Sequence, residues 1–71
     1  MLKIKDNVDL KELEKYGFKK KYYYNAYVLE CETKKQDIVF DLKTRKLLFV
    51  NWGYDALYDL IKDGLVEKVS K

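Results

Sequence analysis

A run of three lysines followed by three tyrosines, Lys19-Lys20-Lys21-Tyr22-Tyr23-Tyr24, is the segment of the chain best suited to binding a ligand. Ammonium groups attract phosphates, and tyrosine rings offer flat surfaces on which nucleic-acid bases stack. The run therefore predicts weak, sequence-tolerant binding of single-stranded nucleic acid as one candidate function. The candidate contacts are Lys19, Lys20, Lys21, Tyr22 and Tyr24.

The type of cation argues against sequence-specific reading of DNA. Fourteen of the fifteen cationic residues are lysines, and Arg45 is the only arginine. Base-specific contacts rely strongly on the two-pronged hydrogen bonding of arginine. The net charge of +3, which arises within residues 1–35, is also mild for a nucleic-acid binder. Nucleic acid is therefore the second candidate partner, after protein.

The side chains that carry most enzymatic chemistry are scarce in this chain. There is no histidine to act as a base near neutral pH. The single cysteine, Cys31, falls on a predicted strand facing the core, where a thiol packs as a small apolar group. The three glycines lie at helix ends or in a turn, not in a phosphate-binding loop. We expect a non-enzymatic protein without catalytic residues, metal, cofactor or small-molecule substrate.

Aromatic residues of the kind that anchor protein interfaces cluster before and on the second predicted helix. They are Trp52, Tyr54 and Tyr58. Packing over the end of the sheet is the better explanation for Trp52. Tyr54 and Tyr58 are one helical turn apart and would form a patch if both are exposed.

Two short helices are predicted from the signals at their ends. Asp9 is a favourable N-cap with Glu12 three residues later, and Gly17 supplies a left-handed residue at the C-terminus. The first helix should therefore span Leu10–Tyr16. The second should begin at Tyr54 or Asp55 and end at Asp63, because apolar residues recur there at helical spacing.

Three segments have the composition of β-strands: Tyr22–Cys31, Ile38–Asp41 and Leu47–Val50. Short polar connections predict that they pair in sequence order as an antiparallel meander. Residues 66–69 should form an extended tail or a short edge strand. We therefore predict a single α+β domain over residues 1–71, a three-stranded antiparallel β-meander flanked by two short α-helices (α-β-β-β-α).

The alternation of side chains predicts which residues share a face of this sheet. With a loop of about four residues after the first strand, Cys31 lies opposite Ile38 and Leu29 opposite Phe40. One face then holds Tyr27, Leu29, Cys31, Ile38 and Phe40. The other holds Tyr22, Tyr24, Ala26, Val28 and Val39. Because the three consecutive tyrosines alternate between faces, they cannot all stack on one ligand, and the preceding lysines are expected to form an exposed linker.

The sheet is expected to need a partner on its second face. A small meander with one face in water should alternate apolar and polar residues clearly, yet Leu47–Val50 is apolar on both sides. Two short helices can cover only one face well. We therefore predict a protein-interaction module that acts as a homodimer or on another protein. The candidate interaction surface is Tyr22, Tyr24, Val28, Tyr54 and Tyr58.

The chain carries no recognisable targeting signal. Its first residues lack the apolar run of a signal peptide, and no later stretch has membrane-spanning length. A lone cysteine also fits a reducing compartment. We expect a cytoplasmic protein that does not bind membranes.

Several segments together resemble small uncharacterised proteins encoded by phages and prophages of low-GC Gram-positive bacteria. The resemblance implies a bacterial host and a phage or host protein as partner, and it assigns no activity to any residue. The segments are Ile4-Lys5-Asp6, Val8-Asp9-Leu10-Lys11-Glu12-Leu13, Tyr16-Gly17-Phe18, Asp41 with Thr44-Arg45, Leu57-Tyr58-Asp59-Leu60-Ile61 and Gly64-Leu65-Val66-Glu67-Lys68-Val69.

Overall fold

Six strands and two short helices make up the fold in a computed structural model that describes residues 1–23 and 25–69. The chain runs in the order β1 (Leu2–Ile4), a 3-10 helix (Leu10–Tyr16), β2 (Lys19–Tyr23), β3 (Ala26–Glu32), β4 (Asp37–Asp41), β5 (Leu47–Trp52), α1 (Asp55–Lys62) and β6 (Val66–Lys68).

The strands form two antiparallel sheets, so the predicted three-stranded meander between two helices was wrong. One sheet has four strands in the order β2-β3-β4-β5, and the other pairs β1 with β6. The guanidinium of Arg45 holds the N-terminal segment that follows β1. Its Nη1 donates to the backbone carbonyl oxygens of Lys5 and Val8, each at 2.7 Å.

A hairpin that the sequence did not predict accounts for the fourth strand of the large sheet. Residues 22–31, predicted as one strand, are divided by a turn at Asn25, whose φ is +63°. Asparagine is one of the few residues that tolerate this left-handed conformation. The segment before the turn pairs with the segment after it, with Lys19 opposite Glu30 and Tyr23 opposite Ala26. The three lysines are exposed, as expected, but they lie on an edge strand and not in a linker.

The remaining local predictions agree well with the structure. Leu10–Tyr16 is helical, the side chain of Asp9 accepts a hydrogen bond from the backbone N–H of Lys11 at 3.0 Å, and Gly17 is left-handed with φ +92°. The expected capping by Glu12 is replaced by an ion pair, with Lys15 Nζ 3.2 Å from Glu12 Oε1. The helix α1 begins within one residue of its expected start and ends one residue early.

The core lies on one face of the large sheet. Cys31 pairs with Ile38 and Leu29 with Phe40, which confirms the predicted register. These four residues pack with residues of the 3-10 helix, α1, β1 and β6, so both helices and the small sheet cover the same face. The other members of this core are Ile4, Leu13, Phe18, Ala56, Leu57, Leu60 and Val66. Neither helix within residues 1–23 and 25–69 is long and apolar enough to cross a membrane.

Candidate functional site

The face of the four-stranded sheet opposite the core, here called the outer face, is the candidate site. Paired residues of antiparallel strands share a face. The register therefore aligns Lys19, Glu30, Val39 and Phe49 in one row that crosses all four strands of this face. Two irregularities in the pairing of β4 with β5 shift the neighbouring residues. The remaining outer-face residues used below are Lys21, Tyr23, Ala26, Val28, Asp37, Leu48 and Trp52.

The centre of the outer face is an apolar depression of about 380 Å³. Its floor contains Val28 and Val39, which are 4% and 3% exposed although they lie outside the core cluster. Large side chains surround this floor and remain about half exposed: Leu48 at 53%, Phe49 at 46% and Tyr23 at 41%. The helices and the small sheet lie on the opposite side, so none of the described elements covers this apolar surface.

The negative charge of one carboxylate on the floor of the depression is paired with a lysine of the same chain. The side chain of Glu30 is 10% exposed, and its Oε1 lies 3.1 Å from Lys21 Nζ. Tyr23 donates its hydroxyl hydrogen to the same oxygen at 3.2 Å. The hydrogen bond to Glu30, assisted by nearby negative charge, raises the pKa of Lys21 above its ordinary value. A partner can therefore bury Glu30 without supplying a charge of its own.

A second buried carboxylate lies nearer the end of β5. Asp37 is 6% exposed and accepts a hydrogen bond at 2.7 Å from the side-chain amide of Asn51. Trp52 pairs with Asp37 across the strands and is 45% exposed. The expected packing of Trp52 in the core is therefore wrong, and its indole ring extends the apolar surface along β5.

The tyrosines of the β2–β3 hairpin are divided between the two faces. Tyr22 pairs with Tyr27 on the side of the core, with ring centroids 4.7 Å apart and planes inclined at 60°. Lys20 Nζ lies 5.1 Å from the centroid of the Tyr27 ring. Tyr23 lies on the outer face with Lys21 and Glu30. Tyr22 and Tyr27 contact each other, and the Tyr23 hydroxyl bonds Glu30 on the opposite face, so the described rings do not form a flat row beside the lysines.

The predicted interaction residues do not form one surface. Val28 lies on the floor of the outer face, whereas Tyr22 lies on the opposite side of the sheet. Tyr54 and Tyr58, at the start of α1 and on it, are 65% and 69% exposed in the layer that covers the core. Tyr24 lies outside the described residues.

Sequence reasoning missed the large exposed apolar side chains of β5 on the outer face, because it did not select Leu48 or Phe49 and it favoured core packing for Trp52. A signal for them existed, because the segment around Phe49 is apolar on both sides of the strand. The bulges of β5 then decide which side chain faces outward, and no local pattern reveals where such bulges fall.

The described residues contain little else that resembles a reactive site. They include no group of three or more histidine, cysteine, aspartate or glutamate residues placed to hold a metal ion. The thiol of Cys31 is fully buried, and this burial raises its pKa, although a hydrogen bond from the Gln36 amide acts in the opposite direction. Such a thiol is a poor nucleophile.

Comparison with known proteins gives no family for this chain. It matches no protein-family model, no curated protein and no solved structure.

Proposed function

We propose that this chain is a non-enzymatic protein-interaction module that binds its partner through the outer face. The partner is a second copy of the chain or a phage or host protein. The observation that carries the proposal is the half-exposed group Leu48, Phe49 and Trp52 beside the buried floor of Val28 and Val39. Contiguous apolar surface on a small protein marks binding sites, whereas scattered apolar residues do not.

The energetics favour coverage of this face by a partner. Full burial of one leucine or phenylalanine side chain contributes roughly 1.5–3 kcal/mol. Several such residues lie together around a preformed depression, so little ordering is needed before they can be buried. The ion pair with Lys21 means that Glu30 is not left as an unpaired charge, which reduces the electrostatic cost of covering it with an apolar partner.

The test compares two lysine substitutions that change the net charge equally. Phe49→Lys places an ammonium group on the outer face, whereas Tyr58→Lys places one on the exposed side of α1. The immobilised chain is exposed to lysate from a phage-infected Gram-positive host, and captured proteins are identified by mass spectrometry. We expect the same specific protein, or the untagged chain itself, to bind the wild type and Tyr58→Lys and to be lost from Phe49→Lys. If Phe49→Lys still captures the same protein, the outer face is not the binding surface.

Binding of single-stranded nucleic acid is the second candidate function. One observation favours it: Lys20, Lys43 and Tyr27 line a common depression of about 460 Å³, together with the carboxylate-bearing Asp41. The test is titration of a labelled oligonucleotide at low and high salt. Affinity that falls steeply with salt, and that is reduced in Lys20→Gln but not in Lys62→Gln, would support this function. An absence of binding at low salt would end it.

A further inference from the structure

We propose that strand β2 (Lys19–Tyr23), at the open edge of the large sheet, binds an extended acidic segment of a partner protein, which pairs with β2 as a fifth strand. This inference goes beyond the proposed function, because it concerns the edge of the sheet and does not require the outer face to bind anything. It names a second interaction surface and the chemistry of its occupant.

The described part of the chain leaves the β2 edge of the large sheet open. Within residues 1–23 and 25–69, β2 pairs only with β3, and all five of its residues are exposed. The opposite edge is partly occupied, because β1 meets the chain just before β5 through the bridge between Lys3 and Lys46. Alternate residues of an edge strand direct their N–H and C=O groups away from the sheet. Strand β2 therefore offers backbone hydrogen bonds to an added strand.

The lysines of β2 lie on both sides of the strand. Lys19 and Lys21 are on the outer face, and Lys20 is on the opposite side, where its Nζ is 5.1 Å from the centroid of the Tyr27 ring. An added strand also directs alternate side chains to the two sides of the sheet. Three successive acidic residues of that strand can therefore lie beside the three lysines. A nucleic-acid strand places its phosphates along one surface and would meet only part of this set.

Lys19 and Lys20 are the cations available to such a partner. Lys21 is already paired with Glu30, whereas Lys19 and Lys20 make no ion pair within the described residues. Exposed pairs between opposite charges on neighbouring strands each contribute modestly, and a short segment loses conformational freedom when it is ordered. We therefore expect weak binding that depends on salt.

Carboxylates also lie near these two lysines. Lys19 and Lys20 line a depression of about 590 Å³ that contains Asp9, Glu14 and Lys11. Asp9 is engaged as the helix cap, since its Oδ1 accepts a hydrogen bond from the backbone N–H of Lys11. This depression therefore holds three cations against two anions, and an acidic segment meets a net positive charge there.

The same lysines disfavour other strands at this edge. Lysine on an edge strand is a common device that prevents unwanted pairing between sheets. Pairing of β2 with β2 of a second copy would place three lysines beside three others, and like charges oppose association. An acidic strand turns this repulsion into attraction, so the charge of the edge selects the partner.

The first test titrates a fluorescein-labelled peptide in which alternating valines and threonines are followed by three glutamates. Fluorescence polarisation at low ionic strength should detect binding that weakens by about threefold or more at physiological salt. The same peptide with lysines in place of the glutamates should not bind. An absence of binding by the acidic peptide at low salt would overturn the inference and leave the lysines only the role of blocking the edge.

Two double variants with the same loss of charge locate the site. Lys19→Gln with Lys20→Gln removes two cations from β2, and Lys34→Gln with Lys35→Gln removes two from the exposed loop after β3. We expect the first pair to weaken binding of the acidic peptide by about threefold or more and the second pair to weaken it by less than about twofold. Equal losses in the two double variants would contradict binding at β2. Phe49→Lys should retain binding, so this result is independent of whether the outer face binds a partner.

The second test determines whether the peptide pairs as a strand. N-methylation of every second residue removes alternate backbone donors and leaves the charge of the peptide unchanged. Of the two alternating series, the one whose modified amides face β2 should lose binding and the other should keep it. Amide hydrogen exchange of the ¹⁵N-labelled protein should slow at alternate residues of Lys19–Tyr23. If both series bind equally, the contact is electrostatic alone and the inference is wrong. It is also wrong if a labelled single-stranded oligonucleotide binds these residues and the acidic peptide does not.

Discussion

Lys21 Nζ lies 3.1 Å from Glu30 Oε1, and this diagonal pair of neighbouring strands lets an apolar depression contain a carboxylate. The two residues lie on strands joined by the unexpected hairpin, with Lys21 directly opposite Val28. A cation from the lysine run therefore has a structural role in the fold.

The pair between Lys21 and Glu30 predicts a specific dependence of stability on pH. The hydrogen bond to Glu30 raises the pKa of Lys21 above its ordinary value of 10.5. The stabilisation of the fold by this pair is therefore complete below pH 10.5 and is lost as the pH rises through the folded-state pKa of Lys21. Replacing Lys21 with methionine should lower the free energy of unfolding at neutral pH. The difference from wild type should then shrink as the pH rises above 10.5.

Urea unfolding from pH 7 upward measures this difference. Lys62→Met is the matched control, because Lys62 is an exposed lysine on α1. If both variants show the same pH profile relative to wild type, the pair with Glu30 does not contribute to stability.

Gly53 permits a close approach between the end of β5 and the loop before β4. Its φ is +78°, and a Cβ built there would overlap the carbonyl oxygen of Lys35 and atoms of Gln36. Gly64 has the same φ, but the nearest atom to its Cβ would be Lys5 Nζ at 3.9 Å. Gly64→Ala should therefore cost only the conformational penalty, about 1 kcal/mol. Gly53→Ala adds a backbone overlap and should cost about 3 kcal/mol or more.

Chemical denaturation of the two glycine variants tests this comparison directly. Equal losses of unfolding free energy in the two variants would mean that the loop before β4 moves aside without cost. The φ angle alone would then determine both effects.

Arg45 connects the turn before β5 to the N-terminal segment. Its Nη1 donates to the carbonyl oxygens of Lys5 and Val8, both at 2.7 Å. Hydrogen bonds from a charged donor contribute about 1.5–3 kcal/mol. We expect Arg45→Met to reduce the free energy of unfolding by about 2 kcal/mol, whereas Lys43→Met in the same turn should change it by less than about 0.5 kcal/mol. Thermal unfolding measures both values, and a similar effect for the two variants would contradict this role of Arg45.

Features of the fold that depend on residues close together in sequence were predicted correctly, whereas features that depend on distant residues were not. Asp9 and Gly17 act within one helix, and the register of Cys31 with Ile38 follows from a short loop, so the sequence predicts them correctly. The turn at Asn25 was missed because it lies in a run of strand-forming residues without glycine or proline. The pairing of β1 with β6 joins the two ends of the chain and has no local signature.

The candidate site was predictable only in outline. The two-sided apolar character of the strands indicated an uncovered face, and Val28 was correctly placed on a face without the core residues Leu29 and Cys31. The hairpin at Asn25 then moves Tyr22 to the other side of the sheet. The bulges of β5 decide that Phe49 and Trp52 face outward, and such irregularities depend on the whole sheet.

Trp52 provides an intrinsic optical probe of the outer face. It is the only tryptophan of the chain, pairs with Asp37 on the outer face and is 45% exposed. If a second copy covers this face, the quenching of its fluorescence by acrylamide should decrease as protein concentration rises through the dissociation constant. The emission should shift to shorter wavelength over the same range, because the indole leaves water. Phe49→Lys should show neither change, and Tyr58→Lys should show both. If the measured mass doubles while the quenching of Trp52 stays constant, the two copies associate through another surface, and the apolar floor of Val28 and Val39 is left for a different protein.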